Sequence, residues 1–300
     1  MDFYLISGFL GAGKTTFLKN FVRLFLPRQI HLIINEFGRE GVDGALLQEI
    51  GAELDEICNG SIFCSCRLDR FEDALKKTVQ SCPDVILTEA SGLADPTEIA
   101  AVLHRFPQIQ YRGCICLADA VRLPKVFSTA QVCRRQLAVS SLVLLNKTDL
   151  ATPQQLEETT NLILQTNPGA KIMQTQFGSF ECSWLSLITA VSEPSFSDAA
   201  PDITLQKTCL LVDSRMTSDS MQHCLVQLSD SCYRIKGFVQ LADGTFFADC
   251  TGPSVQLSVW NGKANNRLVL LAGKGMPLRK TVQSALHWYE GYLSTVADTE

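Results

Sequence analysis

Near the start of the chain, Gly8-Phe9-Leu10-Gly11-Ala12-Gly13-Lys14-Thr15-Thr16 fits the pattern G-x-x-x-x-G-K-[ST]. Such a loop works only between a strand and a helix. The strand delivers the chain, the glycines let backbone N–H groups turn inward, and the helix N-terminus adds positive potential for an anion. The neighbouring residues suit both roles: Asp2 to Ile6 reads as a short buried strand and Thr16 to Leu26 as an amphipathic helix. Gly8, Gly11, Ala12, Gly13, Lys14, Thr15 and Thr16 are therefore expected to bind the phosphates of a nucleotide. Lys14 would bridge the outer phosphates, and the Thr15 hydroxyl would hold Mg²⁺. A chance match in a loop is the alternative, and the flanking strand and helix argue against it.

The alternation continues. Apolar runs at 29–35, 84–88, 112–119 and 141–145 read as strands, with helices at 68–80, 96–106 and 153–164 and a helix-like segment at 45–50. Continuous apolar strands that alternate with helices indicate a mostly parallel sheet flanked by helices, here the α/β fold of a P-loop NTPase. From about residue 181 to 201 the pattern breaks down, and Ser, Pro, Asp and Ala dominate 192–201. Beyond it lie strands at 208–212, 233–241, 245–249, 254–260 and 267–271, a turn at Ala242-Asp243-Gly244 and a closing helix at 280–294. The expected organisation is a P-loop domain at 1–185, a linker at 186–205 and a smaller α+β domain at 206–300.

With 46% hydrophobic and 19% charged residues, the 300-residue chain has material for a proper core. A net charge of −5 without any Lys/Arg run argues against nucleic acid as a partner. No apolar stretch approaches the ~20 residues needed to span a bilayer. The phosphate loop begins too early to leave room for a signal peptide, so a cytoplasmic protein is expected. Twelve cysteines then read as thiols or metal ligands rather than disulfides. Cys114 and Cys116 share a face of an apolar strand and are expected to pack in the core. His31, His104, His223 and His287 read as packing or surface residues.

Two more segments follow strands. Asn146-Lys147-Thr148-Asp149 comes directly after the fifth strand. The Asp149 carboxylate can accept from the N1–H and 2-amino group of guanine, Lys147 can lay its stem over the base, and Asn146 can tie the loop together. A plain helix cap by Thr148 or Asp149 is the competing reading. Glu89-Ala90-Ser91-Gly92 ends the third strand. There Glu89 would hold Mg²⁺, and Gly92 would sense a γ-phosphate through its N–H. Asp is the usual acid at that place. A solvent-facing carboxylate at a strand end is the competing reading for Glu89.

Gly8–Thr16, Ile34–Gly38, Glu89–Pro96 and Asn146–Asp149 occur in the same order in the CobW-like P-loop GTPases, which this chain resembles. Arg234-Ile235-Lys236-Gly237-Phe238 and Arg267–Leu271 resemble segments of that family's C-terminal domain. The resemblance implies a GTPase tied to metal handling, with GTP/GDP and Mg²⁺ at the nucleotide site. It also implies zinc or cobalt as cargo, and a client metalloprotein or cofactor-assembly protein as partner. Self-association is a further implication. The family's C-x-C-C motif is broken here: Ser61, Ile62, Phe63 and Cys64 stand in its place, so only the last cysteine survives. Cys58, Cys64 and Cys66 nonetheless form a three-thiolate candidate that leaves one tetrahedral position open. The bland alternative packs Cys58 inward and leaves the C-x-C pair redox-prone or inert. Glu36 either completes that site or serves the nucleotide; with Asp43 it is a candidate for positioning the attacking water. Catalysis is expected from Lys14, Glu36 and Glu89, with slow intrinsic turnover. Two other functions compete: a nucleotide-dependent metal sensor or adaptor with negligible hydrolysis, and more distantly a small-molecule kinase.

Overall fold

The structure is a computed structural model that describes residues 1–34, 53–56, 68–191, 205–252 and 254–295. It divides into two compact units, Met1–Pro201 and Asp202–Glu300.

The first unit is built on a seven-stranded sheet in the order β3-β2-β4-β1-β5-β6-β7. Its strands are β1 (Asp2–Gly8), β2 (Ile30–Ile34), β3 (Glu53–Glu56), β4 (Val85–Glu89), β5 (Gln110–Asp119), β6 (Leu142–Asn146) and β7 (Lys171–Gln174). Every pairing in it is parallel. Side chains alternate between two buried layers. Tyr4, Ile6, Leu32, Ile34, Leu87, Ile115 and Leu117 face one core; Phe3, Leu5, Ile33, Ile86 and Cys114 face the other. Burial on both faces is why β1, β2, β4, β5 and β6 read as unbroken apolar runs. The helix Lys14–Phe21 lies in the first layer, where Phe17 stacks on Phe21 at 4.9 Å and Phe21 meets Phe180 edge-on at 5.0 Å. Cys114 and Cys116 are fully buried on β5, and desolvation pushes both thiols well above their ordinary range.

Several boundaries differ from the sequence expectation. The first helix ends at Phe21 and tightens into a 3-10 turn over Val22–Phe25, because Leu26 precedes Pro27 and is held extended. The helix expected over 96–106 is confined to Ile99–Leu103. On its N-terminal side the Asp95 carboxylate accepts from the Thr97 N–H and hydroxyl, fixing a turn. On its C-terminal side Phe106 precedes Pro107, which ends the turn that follows. Helices at Leu123–Phe127 and Gln131–Ala138 and strand β7 had no counterpart in the sequence reading. The 45–50 segment lies outside the described residues.

The second unit is a six-stranded antiparallel sheet in the order β11-β10-β9-β12-β8-β13. Its strands are β8 (Leu205–Val212), β9 (Arg234–Leu241), β10 (Gly244–Thr251), β11 (Ser254–Val259), β12 (Arg267–Gly273) and β13 (Leu293–Thr295). Ile235, Val239 and Leu241 on β9 and Leu268, Leu270 and Ala272 on β12 pack with Met221, Leu225 and Val282 from the helices Ser218–Ser229 and Leu278–Trp288. Met221, Cys224, Leu225 and Leu228 carry the helical spacing that gives bounds to the helix-like stretch around His223. The closing helix stops at Trp288 and is followed by β13, where the sequence reading continued the helix to 294. Among the described residues no helix is long and apolar enough to cross a membrane.

Candidate functional site

A parallel sheet carries all its strand C-termini on one edge, so Gly8, Ile34, Glu89, Asp119, Asn146 and Gln174 end on the same side of the first unit. Register makes them neighbours: Ile6 and Ile34 pair with Glu89, and Asp119 pairs with Asn146. Sheets of this kind bind ligands at that edge, where the strand order reverses on either side of the first strand.

The loop after β1 turns back on itself, with the Ala12 N–H donating to Phe9 O at 3.2 Å. Gly13 caps the following helix at φ +100°, a left-handed conformation that L side chains rarely adopt. A Cβ there would also meet Asn146 Nδ2 at 2.5 Å, so glycine is required twice over. Lys14 is buried, and its ammonium donates to Gly8 O at 3.0 Å and Phe9 O at 3.4 Å, across the mouth of the loop. Thr16, one residue past Thr15, is exposed.

Glu89, 2% exposed, accepts the Thr15 hydroxyl on Oε1 at 3.0 Å. The two residues proposed as Mg²⁺ ligands are thus brought together across 74 positions of sequence. A buried carboxylate beside a threonine hydroxyl is a pair of hard oxygen donors, and it fits Mg²⁺. The following segment folds against the loop: a Cβ on Gly92 would meet Leu10 N at 2.8 Å. The helix Gln131–Ala138 holds that segment in place. Gln136 Nε2 donates to Gly92 O and Ala94 O at 3.1 Å each, and Arg135 pairs with Asp95 at 2.5 Å.

On the other side of β1, Asn146 is the junction. Its Nδ2 donates to Ala12 O at 2.9 Å, and its Oδ1 accepts from the Gly178 N–H at 3.1 Å, both buried. Lys147 adopts φ +62°, and its ammonium lies 2.7 Å from Asp119 Oδ2. Asp119 Oδ1 accepts from the Val121 and Arg122 N–H groups, so one carboxylate shapes its own loop and anchors Lys147. Asp149 sits exposed in the 3-10 turn Thr148–Leu150. Thr148 donates through both N–H and hydroxyl to Thr175 O, tying this turn to the loop after β7.

Sequence reading missed Asp119, Gln136 and the stretch Thr175–Gly178. Asp119 ends a strand already recognised and was findable by the strand-end rule used for Asn146. Gln136 and Gly178 gave no local signal. Glu36, Asp43, Cys58, Cys64 and Cys66 lie outside the described residues. Among the described residues no cluster of His, Cys, Asp and Glu is arranged to hold a metal ion.

Residues 2–174 match the family of the CobW/HypB/UreG nucleotide-binding domain. Zinc chaperone YeiR of Escherichia coli is 31% identical over 188 residues, covering 61% of this chain and 57% of that protein. Zinc chaperone YjiA of the same organism is 27% identical over 258 residues, covering 78% and 80%. Zinc chaperone CobW of Sinorhizobium is 33% identical over 180 residues, covering 49% and 50%. The matched region is thus little more than half of the first relative's length and half of the third's. The fold is that of the crystal structure of Zn(II)-bound YjiA GTPase from E. coli, with a TM-score of 0.50 over 96% of this chain and 98% of that one at 20% identity.

Proposed function

The chain belongs to the CobW/HypB/UreG nucleotide-binding family, and on that premise we propose that it is a slow GTPase whose nucleotide state controls a transition-metal cargo. The cargo is zinc or cobalt, delivered to a client metalloprotein or cofactor-assembly protein. The relatives named as zinc chaperones support zinc first.

The observation that carries this reading is the double role of Asn146. One side chain bonds the phosphate loop through Ala12 O and the base-side loop through Gly178 N–H. A bare phosphate-binding turn needs no such link; a site that must hold both ends of a nucleotide does.

Bound nucleotide and Mg²⁺ would supply the scissile phosphoanhydride and a countercharge; the remaining work falls to this chain. Lys14 exchanges its contacts with Gly8 O and Phe9 O for the outer phosphate oxygens. Thr15 and Glu89 hold the cation, and Gly92, braced by Gln136, reads the γ-phosphate. Charge stabilisation by pre-positioned groups is the main source of rate in phosphoryl transfer. Asp149 selects guanine by accepting from its two donors, and Lys147, anchored on Asp119, covers the base. Cys58, Cys64 and Cys66 are the proposed thiolate donors for the cargo.

Titration of the purified chain with GTP and ATP, then with zinc in the GDP and GTP forms, tests this reading. GTP should bind at least tenfold more tightly than ATP, and Asp149→Asn should erode that preference. Zinc affinity should differ between the two nucleotide forms and fall when Cys64 and Cys66 become Ser. Equal purine affinities would remove the guanine assignment, and equal zinc affinities would remove the coupling.

A further inference from the structure

Four non-glycine residues among those described have positive φ, and two of them, Lys147 at +62° and Phe177 at +53°, sit in loops that are bonded to each other at the base end of the site. Left-handed backbone in a bulky residue costs energy and persists where the surroundings over-determine it. The surroundings here do so. Asn20 Nδ2 donates to Phe177 O at 3.3 Å and to Gly178 O at 3.2 Å; the Gly178 N–H is held by Asn146; Thr175 O receives Thr148. Ser179 N–H closes the turn on Gln176 O at 3.0 Å.

This clamp holds an aromatic ring in solvent. Phe177 is 72% exposed, and no other phenylalanine among the described residues is in the exposed class. Strain and an exposed ring therefore coincide at one residue, joined through its neighbours to Asn146 and Thr148 and adjacent to the loop that carries Asp149. Both costs are recovered if a flat apolar ligand covers the ring.

We propose that Phe177 is the stacking face for the purine base of the bound nucleotide. The proposal rests on the nucleotide reading above and adds to it a residue with a separate duty. Asp149 chooses among purines by hydrogen bonding, whereas Phe177 supplies affinity without choosing, because every base has a π-face. The Asn20 contact also gives the base-side loop a direct tie to the helix that follows the phosphate loop.

Calorimetric titration of the full chain with GDP, GTP and ATP tests it, using Phe177→Ala, Phe177→Gly, Phe177→Tyr and Phe177→Trp. Phe177→Ala should weaken GDP and GTP by about tenfold each, the loss expected for one base–aromatic stack, and leave the GTP-to-ATP ratio within about twofold. Phe177→Gly relieves the left-handed strain, so it should fold at least as well as the parent and lose the same affinity. Phe177→Tyr should restore binding to within about twofold, and the introduced indole of Phe177→Trp should change its emission when GDP is added. Parent-like affinity in the Ala and Gly variants, failure of Tyr to rescue, or a silent indole would each overturn the proposal and leave the guanine reading standing. If the parent chain itself bound no guanine nucleotide, both would fall.

Discussion

On the phosphate side of β1, one contiguous run, Gly8–Thr16, forms the loop, and a single partner strand brings Glu89 to Thr15. On the proposed base side, the same strand edge is assembled from pieces. Asp119, Asn146–Asp149 and Thr175–Gly178 come from the ends of three strands, and Asn20 joins them from the first helix. The proposed phosphate end depends on local backbone geometry, where glycines permit left-handed turns and a helix N-terminus favours an anion. The base end depends on side chains standing in for backbone, above all Asn146, whose amide spans 134 residues in one direction and 32 in the other. A tight anion cradle can be encoded in nine residues. A flat heterocycle needs walls, which only separate loops can provide.

Three substitutions test this contrast, and the largest effect belongs to the contiguous end. Lys14→Ala should weaken GTP binding at least a hundredfold, about 3 kcal/mol, and abolish turnover, while leaving the fold intact. Filter binding and phosphate release measure it, and native hydrolysis in this variant would show that the loop is not the phosphate cradle. Next comes Asn146→Ala. It strands two buried backbone groups, Ala12 O and Gly178 N–H, at about 1–3 kcal/mol each, so the unfolding midpoint in urea should drop along with nucleotide affinity. Loss of affinity without loss of stability would mean that the two ends are not joined through this side chain. The smallest effect is expected for Asp119→Asn. The amide keeps the Val121 and Arg122 contacts but gives up the charge that anchors Lys147, itself 32% exposed and so partly screened. GDP should weaken by about two- to fivefold, roughly 0.5–1 kcal/mol, and added salt should narrow the difference from the parent. An effect equal to that of Lys14→Ala would erase the distinction between the two ends.

The second unit offers another view of legibility. Five of its six strands were legible, β13 having been read as part of the closing helix; on β9, Ile235, Val239 and Leu241 face the helices, and Lys236, Phe238 and Gln240 take the opposite face of the sheet. Its first helix was legible only as a helix-like stretch around His223 without bounds, because serine opens and closes Ser218–Ser229, although Met221, Cys224, Leu225 and Leu228 keep the helical period. In the first unit β7 escaped for a different reason. It is a four-residue edge strand with only Ile172 and Met173 apolar, too short to show a period.

The family and the αβ alternation, and with them the parallel sheet, were determined by the sequence alone, as were the phosphate loop and the Asn146–Asp149 segment. Each is a short-range pattern: a glycine spacing, an apolar run between polar turns, a tetrapeptide at a strand end. Only the tertiary structure decided that Asp119 anchors Lys147, that Gln136 braces Gly92 and that Asn146 and Asn20 knit the loop at 175–178 to the phosphate end. Nothing in the local chain marks these residues. Their partners are chosen by strand order and register, which follow from how the whole sheet buries its two faces.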